Sequence, residues 1–184
     1  QCENLPYATS YIPTNGESGG VTRLRDRASR SGLQNVINSN EGVLYVEIQA
    51  LANIDWNFAN ISINNGISDR VVLGFSSQVG EFTYYVNTSN GSPTSVVSIN
   101  ANDNNTSVTV FNKLGISWSN SIIKFYLNGD EVGSYSGSLN VPIGLDTISF
   151  SGYGTNSETF YGKVKDLMVY NKALTDTELQ QLTQ

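Results

Sequence analysis

The sequence predicts an all-β domain, a two-sheet antiparallel jelly-roll sandwich with one short C-terminal helix. Three observations carry that expectation. From Glu41 onward, apolar residues recur with a period of two in short runs; turn residues, Asn-Gly pairs above all, separate the runs; and no strand–helix alternation intervenes. Alternate side chains of a strand point to opposite faces, so each run reads as a strand with one buried side. Asn-Gly tolerates positive φ and favours the tight reversal that joins antiparallel neighbours. With 184 residues, the chain is long enough to enclose such a core in a single domain.

Taken in order, residues 1–20 hold two of the four prolines and a Gly pair without clear periodicity, and read as an extended lead-in. The jelly-roll domain is expected over 21–184. Its first stretch, Arg23–Arg30, carries four of the ten basic side chains and reads as a solvated face or a set of linker ion pairs. In Gly42–Ala50 (GVLYVEIQA), Leu44, Val46, Ile48 and Ala50 share one face, while Tyr45, Glu47 and Gln49 share the other. Further strands are expected at 58–63, 70–75, 81–87, 95–99, 107–111, 114–118, 122–127, 131–135, 147–150 and 160–170. Reversals are expected at Asn64-Asn65-Gly66, Ser89-Asn90-Gly91 and Asn128-Gly129. At the end, Thr175-Asp176-Thr177-Glu178 matches a capping box, Leu174 and Leu179 stand at hydrophobic-staple positions, and Leu179 and Leu182 form one buried stripe. That helix is expected to plug the sandwich.

Composition removes several function classes. Charged residues make up 14% of the chain, against ~25% in an average soluble domain. A net charge of −6 argues against a protein that grips phosphate backbones, so no nucleic-acid partner is expected. No apolar run approaches the ~20 residues of a membrane helix, so no membrane insertion is expected either. The chain has no His, which excludes His-based metal sites and Ser-His or Cys-His nucleophiles. Cys2 is its single cysteine, so no intramolecular disulfide can form.

Two stretches carry a family resemblance. The run from Phe160 to Leu179 (FYGKVKDLMVYNKALTDTEL) resembles the final strand and helix of laminin G-like, concanavalin A-like jelly-roll domains, and Phe125-Tyr126-Leu127-Asn128-Gly129 resembles their central hairpin. The lead-in Ala8–Thr14 (ATSYIPT), with Val21-Thr22-Arg23, Asp26–Ser29 and Asn40–Glu47, is similar to a module of bacteriophage tail and fibre proteins. The Arg-rich Arg23–Arg30 segment departs from that pattern. The resemblance implies a lectin-like domain carried on a virion or an extracellular adhesin, within a larger parent polypeptide or fibre assembly.

Concanavalin-like hydrolases present acid and nucleophile from alternating positions of one strand, flanking a glycosidic bond at ~5–5.5 Å. No such run exists here: Gln49 stands where a partner carboxylate for Glu47 would be needed, leaving isolated pairs such as Asp55/Asp69 and Glu81/Glu158. No catalytic residues are therefore assigned. The resemblance also implies a possible calcium ion at a sandwich rim. Asp103, in the Asn-rich loop 100–106, and the turn residues Asp130 and Asp146 are weak candidates, because that loop has one carboxylate and lacks the Gly of a calcium loop.

Sugars present apolar C–H faces rimmed by hydroxyls, so their sites combine exposed rings with amide and carboxylate partners. Trp56, flanked by Asp55 and Asn57, fits that description. In Phe82–Val86, Phe82, Tyr84 and Val86 form the apolar set, which turns Tyr85 outward. Tyr45, Glu47 and Gln49 form an outward stripe, Tyr126 alternates with core Phe125 and Leu127, and Tyr153 is a loop aromatic; Trp118 continues the Leu114/Ile116 core face. The expected function is non-catalytic carbohydrate or receptor binding by stacking on such rings. The alternatives are a structural decoration domain of a fibre, whose aromatics would be buried, or a glycoside hydrolase.

Overall fold

A computed structural model describes residues 27–53, 59–89, 95–137, 139–152 and 158–184, with Pro13, Gly16 and Gly19. The expectations that fall on most of the lead-in, on Asp55–Asn57, on Asn90-Gly91 and on Tyr153 lie outside these residues. The strands are β1 (Ser29–Arg30), β2 (Glu41–Gln49), β3 (Ala59–Asn65), β4 (Asp69–Phe75), β5 (Glu81–Asn87), β6 (Ser95–Asn100), β7 (Asn112–Ser119), β8 (Ile122–Leu127), β9 (Asp130–Ser136), β10 (Thr147–Ser149) and β11 (Lys163–Tyr170). They form a six-stranded sheet, β1-β10-β3-β4-β5-β6, and a five-stranded sheet, β11-β2-β7-β8-β9, each antiparallel throughout. The jelly-roll sandwich is thus observed.

The period-two pattern places the core between the sheets. Leu44, Val46 and Ile48 of β2, Ile61 and Ile63 of β3, Leu73 of β4, Leu114 and Ile116 of β7, and Phe125 of β8 are all fully buried. Each such side chain contributes about 1.5–3 kcal/mol of transfer free energy, before the opposing entropy of ordering the chain. Trp118 is core, as its register with Leu114 and Ile116 predicts, and its indole N–H donates to the Ser39 carbonyl at 3.2 Å. Gly42 makes room for it: a Cβ there would lie 2.5 Å from Trp118 Cζ2. The Tyr84 hydroxyl crosses the core and donates to the Tyr126 carbonyl at 2.8 Å, linking β5 to β8. Burial holds the Tyr84 phenol well above its ordinary value of 10.0.

The turn chemistry is as expected where it is described. Asn128 and Gly129 have φ of 49° and 95°, the positive pair that a type I′ hairpin demands, and they join β8 directly to β9. Three segments differ. Ser107–Phe111 is not a strand. Ser107 and Asn112 spend their polar atoms on local bonds instead: Thr109 N–H donates to Ser107 Oγ, and Asn112 Nδ2 donates to the carbonyls of Ser107 and Val110. Such bonds offer the backbone an alternative to the ladder. The last strand begins at Lys163 rather than Phe160, because the Phe160 ring turns in to stack on Phe75 at 5.8 Å. Within β11 the pairing with β2 slips between Val164 and Asp166, so Lys165 is an extra residue in a bulge.

The helix, α1 (Asp176–Thr183), carries the full capping box. Thr175 Oγ1 accepts from Glu178 N–H, and the Glu178 carboxylate accepts from Thr175 N–H at 2.8 Å. Its position corrects the expectation of a plug. Leu179, fully buried, packs with Val43 and Tyr126 as a second cluster apart from the main core, flanked by Tyr170, Leu174 and Leu182. The helix therefore lies across the outer face of the five-stranded sheet. Gly115 of β7 permits the approach, since a Cβ there would sit 3.1 Å from Thr183 Cγ2.

Candidate functional site

The outer face of the six-stranded sheet is where polar side chains collect. On β3, Asn60, Ser62 and Asn64 alternate with core Ile61 and Ile63; on β4, Arg70 alternates with core Val71; on β5, Thr83, Tyr85 and Asn87 alternate with Phe82, Tyr84 and Val86. Register sets them side by side, Asn60 opposite Gly74, Gly74 opposite Thr83, and Arg70 opposite Asn87. On β6, Ser98 lies opposite Thr83 and is exposed, so the face is open at that end. Toward β3 and β4 it is covered by Ser151, Gly152 and Glu158. Ser62 Oγ donates to the Ser151 carbonyl at 2.7 Å, and Asn60 N–H donates to the Glu158 carbonyl at 3.2 Å.

Arg70 and Glu158 form the electrostatic centre of this face. The Arg70 guanidinium lies over the Tyr85 ring, 4.8 Å from its centroid, a favourable cation–π placement. Its Nη1 donates to the Gly152 carbonyl at 3.1 Å and lies 3.5 Å from Glu158 Oε2. With its amide turned so that the oxygen faces Arg70, Asn87 accepts from Nε and Nη2 at 3.1 and 3.2 Å. Glu158 Oε2 also accepts from the Tyr85 hydroxyl at 2.8 Å and from Asn60 Nδ2 at 3.2 Å. Glu158 has φ of 56°, an unusual conformation for a residue with a Cβ. Asn60 Oδ1 and Thr83 Oγ1, both buried, have no hydrogen-bond partner among the described residues. They lie beside Gly74, where the backbones pack too closely for a side chain: a Cβ would lie 2.3 Å from the Ala59 carbonyl.

The predicted site residues that are described are divided between opposite faces of the sandwich. Tyr85 lies on the six-stranded sheet, as described. Tyr45, Glu47, Gln49 and Tyr126 lie on the outside of the five-stranded sheet. Each points away from the main core, as alternation predicts, but the expectation of exposed platforms needs correction: Tyr45, Tyr85 and Tyr126 are 3, 6 and 1% exposed. Arg70 and Glu158 cover Tyr85, and α1 covers Tyr126. Glu47 is also buried and pairs with Lys165 at 2.7 Å, while Gln49 Nε2 donates to the Thr109 carbonyl. Burial, reinforced by Glu47 and Asp166, pushes the Tyr45 phenol up to about 12. Burial, reinforced by Asp176 and Glu131, pushes Tyr126 to about 12 as well.

The carboxylates of Asp69, Asp146, Asp103 and Asp130 have structural partners or stand apart. Asp69 Oδ1 accepts from the backbone N–H of Ser89 and of Ile143, pinning two loops. Asp146 Oδ1 accepts from Thr147 Oγ1, and Asp103 and Asp130 are exposed. Among the described residues no three Asp, Glu or Cys side chains gather, so the calcium candidates do not converge. Arg70, Asn60 and Asn87 were missed by sequence reasoning. The signal was present in the polar alternation Asn60-x-Ser62-x-Asn64 and in Arg70 beside core Val71.

The sequence matches the family model of the concanavalin A-like lectin/glucanases superfamily over residues 30–180. The chain belongs to this superfamily. No curated protein matches it. Among solved structures, it is similar to the Ruminococcus gnavus IT-sialidase CBM40 bound to α2,3-sialyllactose, at 18% identity and a TM-score of 0.64, over 80% of this chain and 84% of that one. It is similar to the NanB sialidase of Streptococcus pneumoniae at 16% identity and a TM-score of 0.64, covering 85% of this chain and 27% of the sialidase. Domain 4 of AbnA, a GH43 extracellular arabinanase from Geobacillus stearothermophilus in complex with arabinotriose, aligns at 17% identity and a TM-score of 0.58, over 80 and 68% of the two chains. At these identities the likeness concerns the superfamily fold.

Proposed function

We propose that this domain is a non-catalytic carbohydrate-binding module whose ligand face is the outer side of the six-stranded sheet. The observation that carries the reading is the polar face built around Arg70, Asn60, Tyr85 and Asn87, open at Ser98. A face of fixed hydrogen-bonding groups on rigid strands suits a hydroxylated ligand. Similar domains solved with sialyllactose and arabinotriose support the same ligand class. Because Tyr85 is covered, it positions Arg70 and Glu158 rather than offering a stacking surface. Trp56 and Tyr153 remain the rings proposed for stacking, with Asp55 and Asn57 as hydrogen-bonding partners. A non-catalytic role is supported by the occupied carboxylates: Glu47 is held by Lys165, and Asp166 Oδ1 accepts from its own neighbour, Leu167 N–H.

The lead-in motif supports carriage of this module by a phage tail or fibre protein, or by an extracellular adhesin. Weak individual sites would then be amplified about 10²–10⁴-fold by display in many copies. A glycan array at high protein density tests the reading. Binding is expected, and Trp56→Ala or Ser98→Trp should weaken it, the second by filling the open end of the face. An array without any retained glycan would overturn the proposal. One observation favours a second reading, a decoration domain without a glycan ligand: Tyr45, Tyr85 and Tyr126 are all buried. An array without any retained glycan would favour it too, whereas unchanged retention in the Ser98→Trp variant would move glycan binding away from this face.

A further inference from the structure

Glu158 sits where a bound carboxylate would be expected. A guanidinium recognises carboxylates through charge-assisted hydrogen bonds, and adjacent hydroxyl and amide donors complete such a cradle. On this face the guanidinium is Arg70, the hydroxyl is Tyr85 and the amide is Asn60. All three direct polar hydrogens at one oxygen, Glu158 Oε2, at 3.5, 2.8 and 3.2 Å.

The backbone is shaped for this arrangement. Glu158 adopts a positive φ, and its carbonyl accepts from the N–H groups of both Asn60 and Gly152 at 3.2 Å. Gly152 is the residue that lets the carboxylate in: a Cβ at that position would lie 1.7 Å from Glu158 Oε2. The Glu158 side chain retains 23% exposure against 10% for Arg70, so the carboxylate lies at the solvent side of the cation.

We propose that Glu158 is a built-in counter-ion that fills the carboxylate place above Arg70, so that this face accepts neutral saccharides and turns away carboxylate-bearing ones. The proposal rests on the reading of this face as the ligand face. A second carboxylate entering the cradle would bring two anions to one guanidinium, and like charges at such a distance disfavour each other. The remaining Arg70 hydrogens are engaged by Asn87 and by the Gly152 carbonyl, which leaves an incoming acid no free fork to grip. A net charge of −6 adds long-range repulsion of anionic ligands.

The test uses the ¹⁵N-labelled full chain and follows the Arg70 Nε–H resonance during titration with sodium glucuronate and sodium N-acetylneuraminate. The native chain should show no saturable shift. Glu158→Gln removes the internal anion, and Gly152→Ala keeps it but displaces its flexible end. Each should bring a saturable shift, with apparent affinity raised about tenfold or more. Dispersed amide spectra report that each variant is folded, and either folded variant suffices. A saturable Arg70 response in the native chain would overturn the proposal, as would silence in every variant that folds. Failure of the carbohydrate-binding reading has a separate signature, the absence of any glycan on the array.

Discussion

Replacing Leu179 with Ala tests the packing that sets α1 against the sandwich. Leu179 is fully buried and is the helix's contribution to the cluster with Val43 and Tyr126. A buried Leu→Ala change costs about 2–5 kcal/mol, depending on how far the site collapses. The cluster lies near the surface, between one helix and one sheet face, so partial collapse favours the lower part, about 2–3 kcal/mol. In a domain of this size each kcal/mol shifts Tm by about 2–4 °C, giving an expected loss of about 4–12 °C. An eight-residue helix has little stability without tertiary contacts, so it should loosen as a unit. The consequence is specific: Tyr126, whose phenol burial pushes to about 12, should titrate closer to 10.0. Thermal melts by circular dichroism would be paired with phenolate absorbance, and Tyr126→Phe would identify the signal. An unchanged Tm together with an unchanged Tyr126 titration would refute the assignment of α1 as the cover of this face.

Three other outcomes are expected. The Tyr45 and Tyr126 phenols are raised to about 12, so their contribution to stability is fully present below pH 10 and lost as pH rises through 12; denaturant midpoints measured across that range should fall. Tyr84→Phe removes the hydroxyl that bonds across the core and should cost about 1 kcal/mol in urea unfolding, without a change of fold. Gly42→Ala would place a Cβ 2.5 Å from the Trp118 ring and 2.7 Å from the Tyr170 carbonyl; overpacking of about 1–3 kcal/mol is expected, readable by denaturation followed through tryptophan emission.

The sandwich was legible because its signals are local and repeated. Leu44-x-Val46-x-Ile48 and Asn128-Gly129 each state a strand face or a reversal within a few residues, and Thr175 with Glu178 states a helix start. Ser107–Phe111 misled because its alternation is sound, whereas the competing bonds come from Asn112, one residue beyond it. The site was harder. Alternation fixes which side of a sheet a tyrosine takes, but not whether another element covers that side. Tyr126 is covered by a helix about fifty residues further along, and Tyr85 by Glu158, 73 residues away. Arg70 reads in the sequence as one of two charges, with Asp69, at the start of an apolar strand. Its importance comes from Gly152 and Glu158, which long-range topology delivers.

The margins of the two sheets bear on how such a unit tolerates company. The outermost strand of the five-stranded layer carries its irregularity at Lys165, with Lys163 also exposed, and the opposite layer ends in a stub two residues long containing Arg30. Unpaired ladder groups invite stitching between neighbouring molecules, and kinks, brevity and positive charge at a border discourage it. At these two borders, strand-to-strand addition of a neighbouring copy is therefore disfavoured.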